Sequence, residues 1–378
     1  MTVNLDIRTI CSPAATELYI SAVPKANIHP ADTAAEIFSS ISQTLHDKKA
    51  CILQERIFAT ESAIQILSDA RSKAYGDIDD GVAPSFLVCE QGLTGPIAGV
   101  QVHAVACDVP TEVISVNQTP CGRILRLPGC TYLTLSAVSA PSISDRSEQV
   151  RKMLEAGEAA LKQFDNDFLS VARTWMWLSD ILSWYNDFNH VRNQFFTERG
   201  ILGPNSRQSM PASTGIGLAP ADGSSCSMDL VATLEPTNST KYVQAVGKQQ
   251  CAFEYGSAFS RAAQAITPAA ETVFVSGTAS IDASGASTNI GDALSQINAT
   301  IENVRAVLKD MHCTDDDVVQ VVAYCKTTNV EREFNRVKDS LSWPWVSAIC
   351  DVCRCDLLFE IEAAATPVPP KKSVLLNL

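Results

Sequence analysis

The residues best suited to chemistry lie near the carboxyl end, where Cys353-Arg354 is followed by Leu357-Leu358-Phe359-Glu360-Ile361-Glu362. Burial disfavours an ionised carboxyl. For a glutamate flanked by Leu358 and Phe359 in an apolar strand, burial acts to raise the pKa toward one that donates a proton near neutral pH. A neighbouring guanidinium pulls the other way. Glu360 and Glu362 share one strand face. Surface pairing with Lys or Arg is the plain reading, but two acids in so apolar a run are costly without partners, which favours a functional Glu360.

Four arginines are candidates to hold an anionic ligand, because a guanidinium presents a bidentate fork to a carboxylate. Each has an ordinary alternative. Arg173 stands two residues from Trp175 and suits ring stacking or a structural ion pair. Arg192 lies on an amphipathic helix, where exposure is usual. Arg261 follows Phe259-Ser260 in a loop-like stretch, and Arg354 suits an exposed strand charge. Thr214-Gly215-Ile216-Gly217 lacks the third glycine and the downstream acid of a dinucleotide loop. Its glycines suit close approach of backbone to a ligand, or a β-bulge. Trp175, Trp177, Trp184 and Tyr185 read as core or interface. His29 precedes Pro30 with no nucleophile motif near it, and no Ser-His-Asp order stands out.

The chain has 13 cysteines, an odd number in a long sequence without a secretion-type leader, so reduced and mostly buried thiols are expected. Cys350, Cys353 and Cys355 form the tightest cluster, in a stretch that reads as continuous strand. Cys353 and Cys355 would share a face opposite Cys350. No second pair with zinc-ligand spacing accompanies them, so no metal site is expected. A net charge of −13 and the absence of a Lys/Arg cluster exclude a nucleic-acid binder and disfavour anionic membranes. No apolar run reaches the length of a membrane span. A cytoplasmic protein is expected, with a small anionic substrate as partner.

The elements that must position these residues repeat. Tyr132–Ser136 and Val273–Gly277 read as buried strands. Each precedes a helix, with Val150, Leu154 and Leu161 on one stripe and Leu294, Ile297, Ile301, Val304 and Leu308 on the other. Gln149 and Gln296 sit near the two helix starts. Strands at 169–178 and 318–326 follow, then helices carrying Phe188-Asn189-His190-Val191 and Phe334-Asn335-Arg336-Val337. Pro211 and Pro344 precede closing strands, which match as Met228-Asp229-Leu230-Val231-Ala232 and Phe359-Glu360-Ile361-Glu362-Ala363. Two β-α-β units in tandem follow from this order. The expected division is an α+β N-terminal domain over 1–125, readable as a degenerate third copy, then units over 126–240 and 241–367 and a peripheral tail over 368–378.

Residues 273–365 resemble the YjgF/Rid family, which has the chorismate mutase-like α+β fold. The resemblance rests on the Val273–Gly277 strand, Gln296 and Asn298 on the helix, the Phe334–Val337 helix and the Phe359–Ala363 strand. It places Glu360 in the ligand groove. The deaminases of that family carry an arginine soon after the proline before the last strands. This sequence has Pro344-Trp345-Val346 there, which argues against an imine or enamine deaminase. A wider resemblance, to the chorismatases, spans most of the chain. It rests on Arg173-Thr174-Trp175, Pro211-Ala212-Ser213-Thr214-Gly215-Ile216-Gly217, Phe259-Ser260-Arg261-Ala262 and the Cys353-Arg354…Glu360-Ile361-Glu362 signature.

That resemblance implies cofactor-free cleavage of chorismate to pyruvate and a cyclohexadiene or hydroxybenzoate product. Glu360 would be the acid that protonates the enol ether. Arg354, Arg261, Arg173 and Arg192 would hold the two carboxylates. Thr214, Gly215 and Gly217 would floor the pocket, and Cys353 would bear on the fate of the ring. Family units commonly form trimers, so the chain would be a monomer of pseudo-symmetric units or a homotrimer. A non-catalytic binder of small acids is the remaining alternative.

Overall fold

The computed structural model describes residues 2–25, 28–203, 209–246, 249, 251 and 256–374. The last four residues of the expected tail lie outside them. In the first unit, β1 (Val3–Cys11) and β2 (Thr16–Pro24) form a hairpin. They are followed by α1 (Pro30–Lys48), β3 (Cys51–Ala59), α2 (Glu61–Tyr75), β4 (Ser85–Val88) and β5 (Ile97–Ala106). The second unit starts with β6 (Glu112–Val116), β7 (Thr119–Leu127) and β8 (Cys130–Ser139). It continues through α3 (Arg146–Lys162), β9 (Val171–Leu178), α4 (Ile181–Glu198), β10 (Ala212–Ile216), β11 (Ala219–Pro220) and β12 (Cys226–Glu235). The third has β13 (Lys241–Val243), β14 (Ala262–Ile266), β15 (Glu271–Ala279) and α5 (Ala293–Asp310). It closes with β16 (Val318–Cys325), α6 (Thr328–Val337), β17 (Trp345–Ile349) and β18 (Phe359–Ala365), before β19 (Lys371–Val374).

The three sheets share one topology. A hairpin pairs with the unit's last strand, which pairs with the strand between the helices, and a parallel strand lies beyond: β1-β2-β5-β3-β4, β7-β8-β12-β9-β10 and β14-β15-β18-β16-β17. Only the last strand pair of each is parallel. The fold is thus α+β with repeated units, and the N-terminal sheet is a third copy of the arrangement. Strands β4, β10 and β17 each pack on the next unit, against β8, β15 and β5, so one chain closes into a three-unit ring. The tail is less peripheral than expected: β19 pairs with β1.

The helices form where capping and apolar spacing agree. Asp145 and Asp292 accept hydrogen bonds from the backbone N–H groups of Glu148 and Ser295, capping α3 and α5. Val150, Leu154 and Leu161 are buried, as are Ile297, Ile301, Val304 and Leu308. Leu294 is an exception at 41 % exposed, because it stands in the first turn of α5, off the packed stripe.

The paired glutamines have a visible purpose. Gln149 Oε1 accepts from Ser225 N at 2.7 Å and Gln296 Oε1 from Leu358 N at 2.8 Å, each just before the unit's final strand. This shared anchor corrects the match read from sequence. Cys226 lies opposite Leu178 and Ser227 opposite Trp177, whereas Phe359 lies opposite Cys325 and Glu360 opposite Tyr324. The counterpart of Glu360 is therefore Ser227, and Asp229 corresponds to Glu362. A second correction concerns 350–358, which is not strand: β17 ends at Ile349, and a loop carries Cys350, Cys353, Arg354 and Cys355 to β18. All thirteen cysteines are free thiols, seven of them buried.

Candidate active site

A cavity of about 340 Å³ lies between the second and third units. Helix α4 supplies Tyr185, Asn189 and His190, and β10 supplies Ser213 and Gly215. From the third unit come Arg261, Gly277 of β15, Cys353 and Arg354 of the 350–358 loop, and Glu360 of β18. Of the residues singled out from sequence, Glu360, Cys353, Arg354, Arg261 and Gly215 line it together. Arg173, Arg192, Thr214 and Gly217 stand outside its lining.

Glu360 is 4 % exposed. Its carboxyl is pushed up to about 8, by burial first and by the Glu362 charge second, against the opposing pull of Arg173, Arg354 and Arg261. The competition left open by the sequence is thus won by desolvation. Arg354 is held by its Nη1, which donates to the Gly285 carbonyl at 2.6 Å. Arg261 is buried, its guanidinium carbon 5.5 Å from the Phe259 ring centroid. Burial and the nearby Glu360 push the Cys353 thiol up to about 12, so it stays protonated at neutral pH.

The residues outside the lining hold it in place. Arg173 is 1 % exposed, forms an ion pair with Glu362 at 2.9 Å, and donates to Thr214 Oγ1. Trp175 Nε1 donates to the other Glu362 oxygen at 2.9 Å. Glu362 is thereby fixed to the second unit, which separates the roles of the two glutamates. Arg192 is buried rather than exposed. It donates to Asn189 Oδ1 at 2.6 Å and to the Tyr185 hydroxyl, so it sets two groups that do face the cavity. Gly217 pairs with Asp351: a β-carbon there would stand 2.6 Å from the Asp351 carbonyl oxygen.

Three contributors escaped the sequence reading. Tyr185, Asn189 and Asn193 recur at four-residue spacing along α4 and face the cavity, a polar stripe that periodicity alone could have shown. Arg56 of β3 lies 3.7 Å over the Trp175 ring, 3.2 Å from Asp229 and 3.8 Å from Glu362, tying all three units at the centre of the ring. Gly277 is the third. A β-carbon on it would stand 2.1 Å from Glu360 Oε1, so only glycine leaves room for the carboxyl. Gly277→Ala is expected to displace that group and lower kcat about 100-fold with little change in unfolding midpoint. Steady-state kinetics beside a denaturation curve checks this.

Val346 does not face this cavity. Its Cγ1 lies 3.2 Å from where a β-carbon on Gly99 would be, in the groove between the third and first units. By strand register the position equivalent to Val346 in the second unit is Thr214, opposite Trp175 as Val346 is opposite Val322. Neither position carries an arginine. Among the described residues no group of three or more His, Cys, Asp or Glu is clustered to hold a metal ion, and no helix is long and apolar enough to cross a membrane.

Residues 255–366 match the sequence model of the family described as Endoribonuclease L-PSP, which covers the third unit. Over most of its length the chain has the fold of a chorismatase known from a crystal structure. The TM-score is 0.62 at 18% identity, covering 84% of this chain and 93% of that one. A putative endoribonuclease from Thermotoga maritima aligns at 23% identity and TM-score 0.25, over 29% of this chain and 85% of its own. A YjgF-family protein from Neisseria meningitidis aligns at 16% identity and TM-score 0.27, over 34% and 95%. No curated protein sequence matches the chain.

Proposed function

We propose that this chain is a chorismatase-like enzyme that cleaves chorismate, or a close enolpyruvyl ether, with release of pyruvate. The observation that carries the reading is the burial of Glu360 in the wall of a cavity that Arg261 and Arg354 also line, a setting that pushes its carboxyl up to about 8. An acid with that pKa is suited to protonate carbon at neutral pH. The chorismatase fold supports the same reading.

In the proposed step Glu360 gives its proton to the terminal methylene carbon of the enolpyruvyl group. The π electrons form the new C–H bond, and an oxocarbenium ion remains beside the Glu360 carboxylate, which offsets its charge. Addition of water to the cation and collapse of the hemiketal give pyruvate and a dihydroxycyclohexadiene carboxylate. Pyruvate loss without net water uptake gives a hydroxybenzoate. Arg261 and Arg354 hold the carboxylates of the dianion, while Tyr185 and Asn189, set by Arg192, define the ring's side of the cavity. Cys353 stays a thiol and packs at the ring as a weak hydrogen-bond donor, not as a nucleophile. Arg173 is a positioning residue that acts through Glu362 and Thr214.

Incubation of the purified protein with chorismate, followed by pyruvate determination and product identification, tests the reading. Pyruvate release supports it. Binding of chorismate without turnover sinks it and leaves a binder of small acids. Because the protonated carboxyl is the active form, kcat/KM, which reports groups of the free enzyme, is expected to fall as pH rises through about 8. A kcat/KM profile between pH 5 and 10 that stays level above 8 contradicts the assignment of the acid.

A further inference from the structure

The two walls of the candidate active site are chemically unlike. The third unit's wall carries the charged and acidic groups, Glu360, Arg261 and Arg354, whereas α4 lines the opposite wall with a phenol, amides and one imidazole. Tyr185, Asn189 and Arg192 follow one another along α4 at four- and three-residue spacing, so they share a face of the helix. Arg192 is 1 % exposed and stands behind the lining.

That buried guanidinium sets the hydrogen-bond polarity of the wall. It can only donate. Its Nη2 donates to Asn189 Oδ1 at 2.6 Å, and it donates to the Tyr185 hydroxyl, which Ser257 also engages. The Asn189 amide is therefore held one way round, because the flipped amide would set Nδ2 against the guanidinium. Among the described residues Nδ2 has no hydrogen-bond partner, yet it is not one of the sealed-off polar atoms of the interior: it is open to the cavity. The residue as a whole is 8 % exposed. Asn189 thus presents a fixed donor whose acceptor the protein does not supply, and a ligand must supply it.

In the proposed complex Arg261 and Arg354 hold the two carboxylates, and the polar group left to face α4 is the ring hydroxyl beside the ether carbon. An ammonium at that carbon would set donor against donor, with the Arg192 charge of like sign behind the amide. We propose that Asn189, held by Arg192, is a specificity-determining residue that admits a hydroxyl at this ring carbon, as an acceptor, and rejects an amino group. The assignment rests on the chorismate-cleavage reading and narrows its substrate class to hydroxyl-bearing enolpyruvyl ethers. Arg192 is the positioning residue.

The test measures pyruvate release from chorismate and from 4-amino-4-deoxychorismate by the wild type, Asn189→Asp and Asn189→Ala. The wild type is expected to favour chorismate by about 100-fold or more in kcat/KM. Asn189→Asp keeps the oxygen that Arg192 holds and puts an acceptor where Nδ2 stood. It is expected to shift the ratio of the two kcat/KM values about tenfold or more toward the amino compound, chiefly through KM. Damage to the fold alone lowers both values alike, so an unchanged ratio overturns the inference. Should Asn189→Asp fail to fold, Asn189→Ala decides: a loss of about tenfold with chorismate and a much smaller loss with the amino compound is expected, and equal losses overturn the inference. Equal use of the two compounds by the wild type also overturns it, while leaving the chorismate reading standing. No pyruvate from either compound overturns that reading, and the inference falls with it.

Discussion

Replacing Glu360 by Gln is expected to lower kcat for pyruvate release by about 10²- to 10⁴-fold, the range for loss of a positioned general acid. Gln preserves size and polarity but has no proton to give to carbon. KM should therefore change little, because the carboxylates of the substrate are held elsewhere, by Arg261 and Arg354. The same variant has a stability signature that a surface glutamate would not show. In the folded chain the carboxyl keeps its proton up to about 8, whereas a free glutamate releases it near 4.5. Between those values the unfolded chain has lost a proton that the folded chain retains. The favourable contribution is therefore complete below the lower value, declines as pH rises, and is gone above 8. Glu360→Gln, which cannot ionise, should thus unfold at higher denaturant than the wild type at pH 9 and at nearly the same concentration at pH 4. Equal midpoints at both pH values would mean that the side chain ionises normally.

Arg173→Met is expected to be the most damaging single change outside the cavity, lowering unfolding free energy by about 3–5 kcal/mol. Arg173 and Glu362 are both nearly inaccessible to solvent. Removing the guanidinium leaves the carboxylate buried, with only Trp175 at hydrogen-bond distance and Arg56 at 3.8 Å. The loss is that of an uncompensated charge, not the net worth of the pair. A double variant, Arg173→Met with Glu362→Leu, should recover much of it, since apolar groups of similar volume replace buried ion pairs at little cost. The activity readout is separate. Arg173 pulls the Glu360 pKa down, so its loss should move the alkaline limb of the kcat/KM profile upward. Denaturation of the two variants beside the wild type, with pH profiles, distinguishes this from simple core damage, which predicts no shift of the limb.

Much of the site was legible because the chemistry is local in sequence. Glu360 announces itself as an acid in an apolar strand, and Cys353 and Arg354 precede it closely enough to reach the same hollow. The parts that were not legible depend on the ring. Arg56 belongs to the unit with the weakest repeat signal, and its importance arises only when β3 meets β9 and β18 at the centre. Arg192 sits on a helix that reads as amphipathic, but the third unit covers the face that would otherwise be wet. The repeat itself was legible to within two residues. Matching Asp229 with Glu360 follows the acidic letters, whereas the ladders and the two glutamine anchors follow the backbone. That shift matters, because the strand register places Ser227 in the groove where an acid would otherwise have been expected. The 350–358 loop reads as strand because Cys, Val and Leu favour strands locally. The sharp return from the parallel β17 to the antiparallel β18 is a tertiary requirement that no local pattern carries.

The central claim is that one carboxyl, at position 360, holds its proton through neutral pH. Following carboxyl signals through a pH titration of ¹³C-glutamate-labelled protein, with Glu360→Gln as the assignment control, measures this directly. One signal titrating near 8, and missing from the variant, is the predicted result. If every glutamate titrates below about 5, in the ordinary carboxylate range, Glu360 is not a proton donor at neutral pH and the proposed chemistry fails.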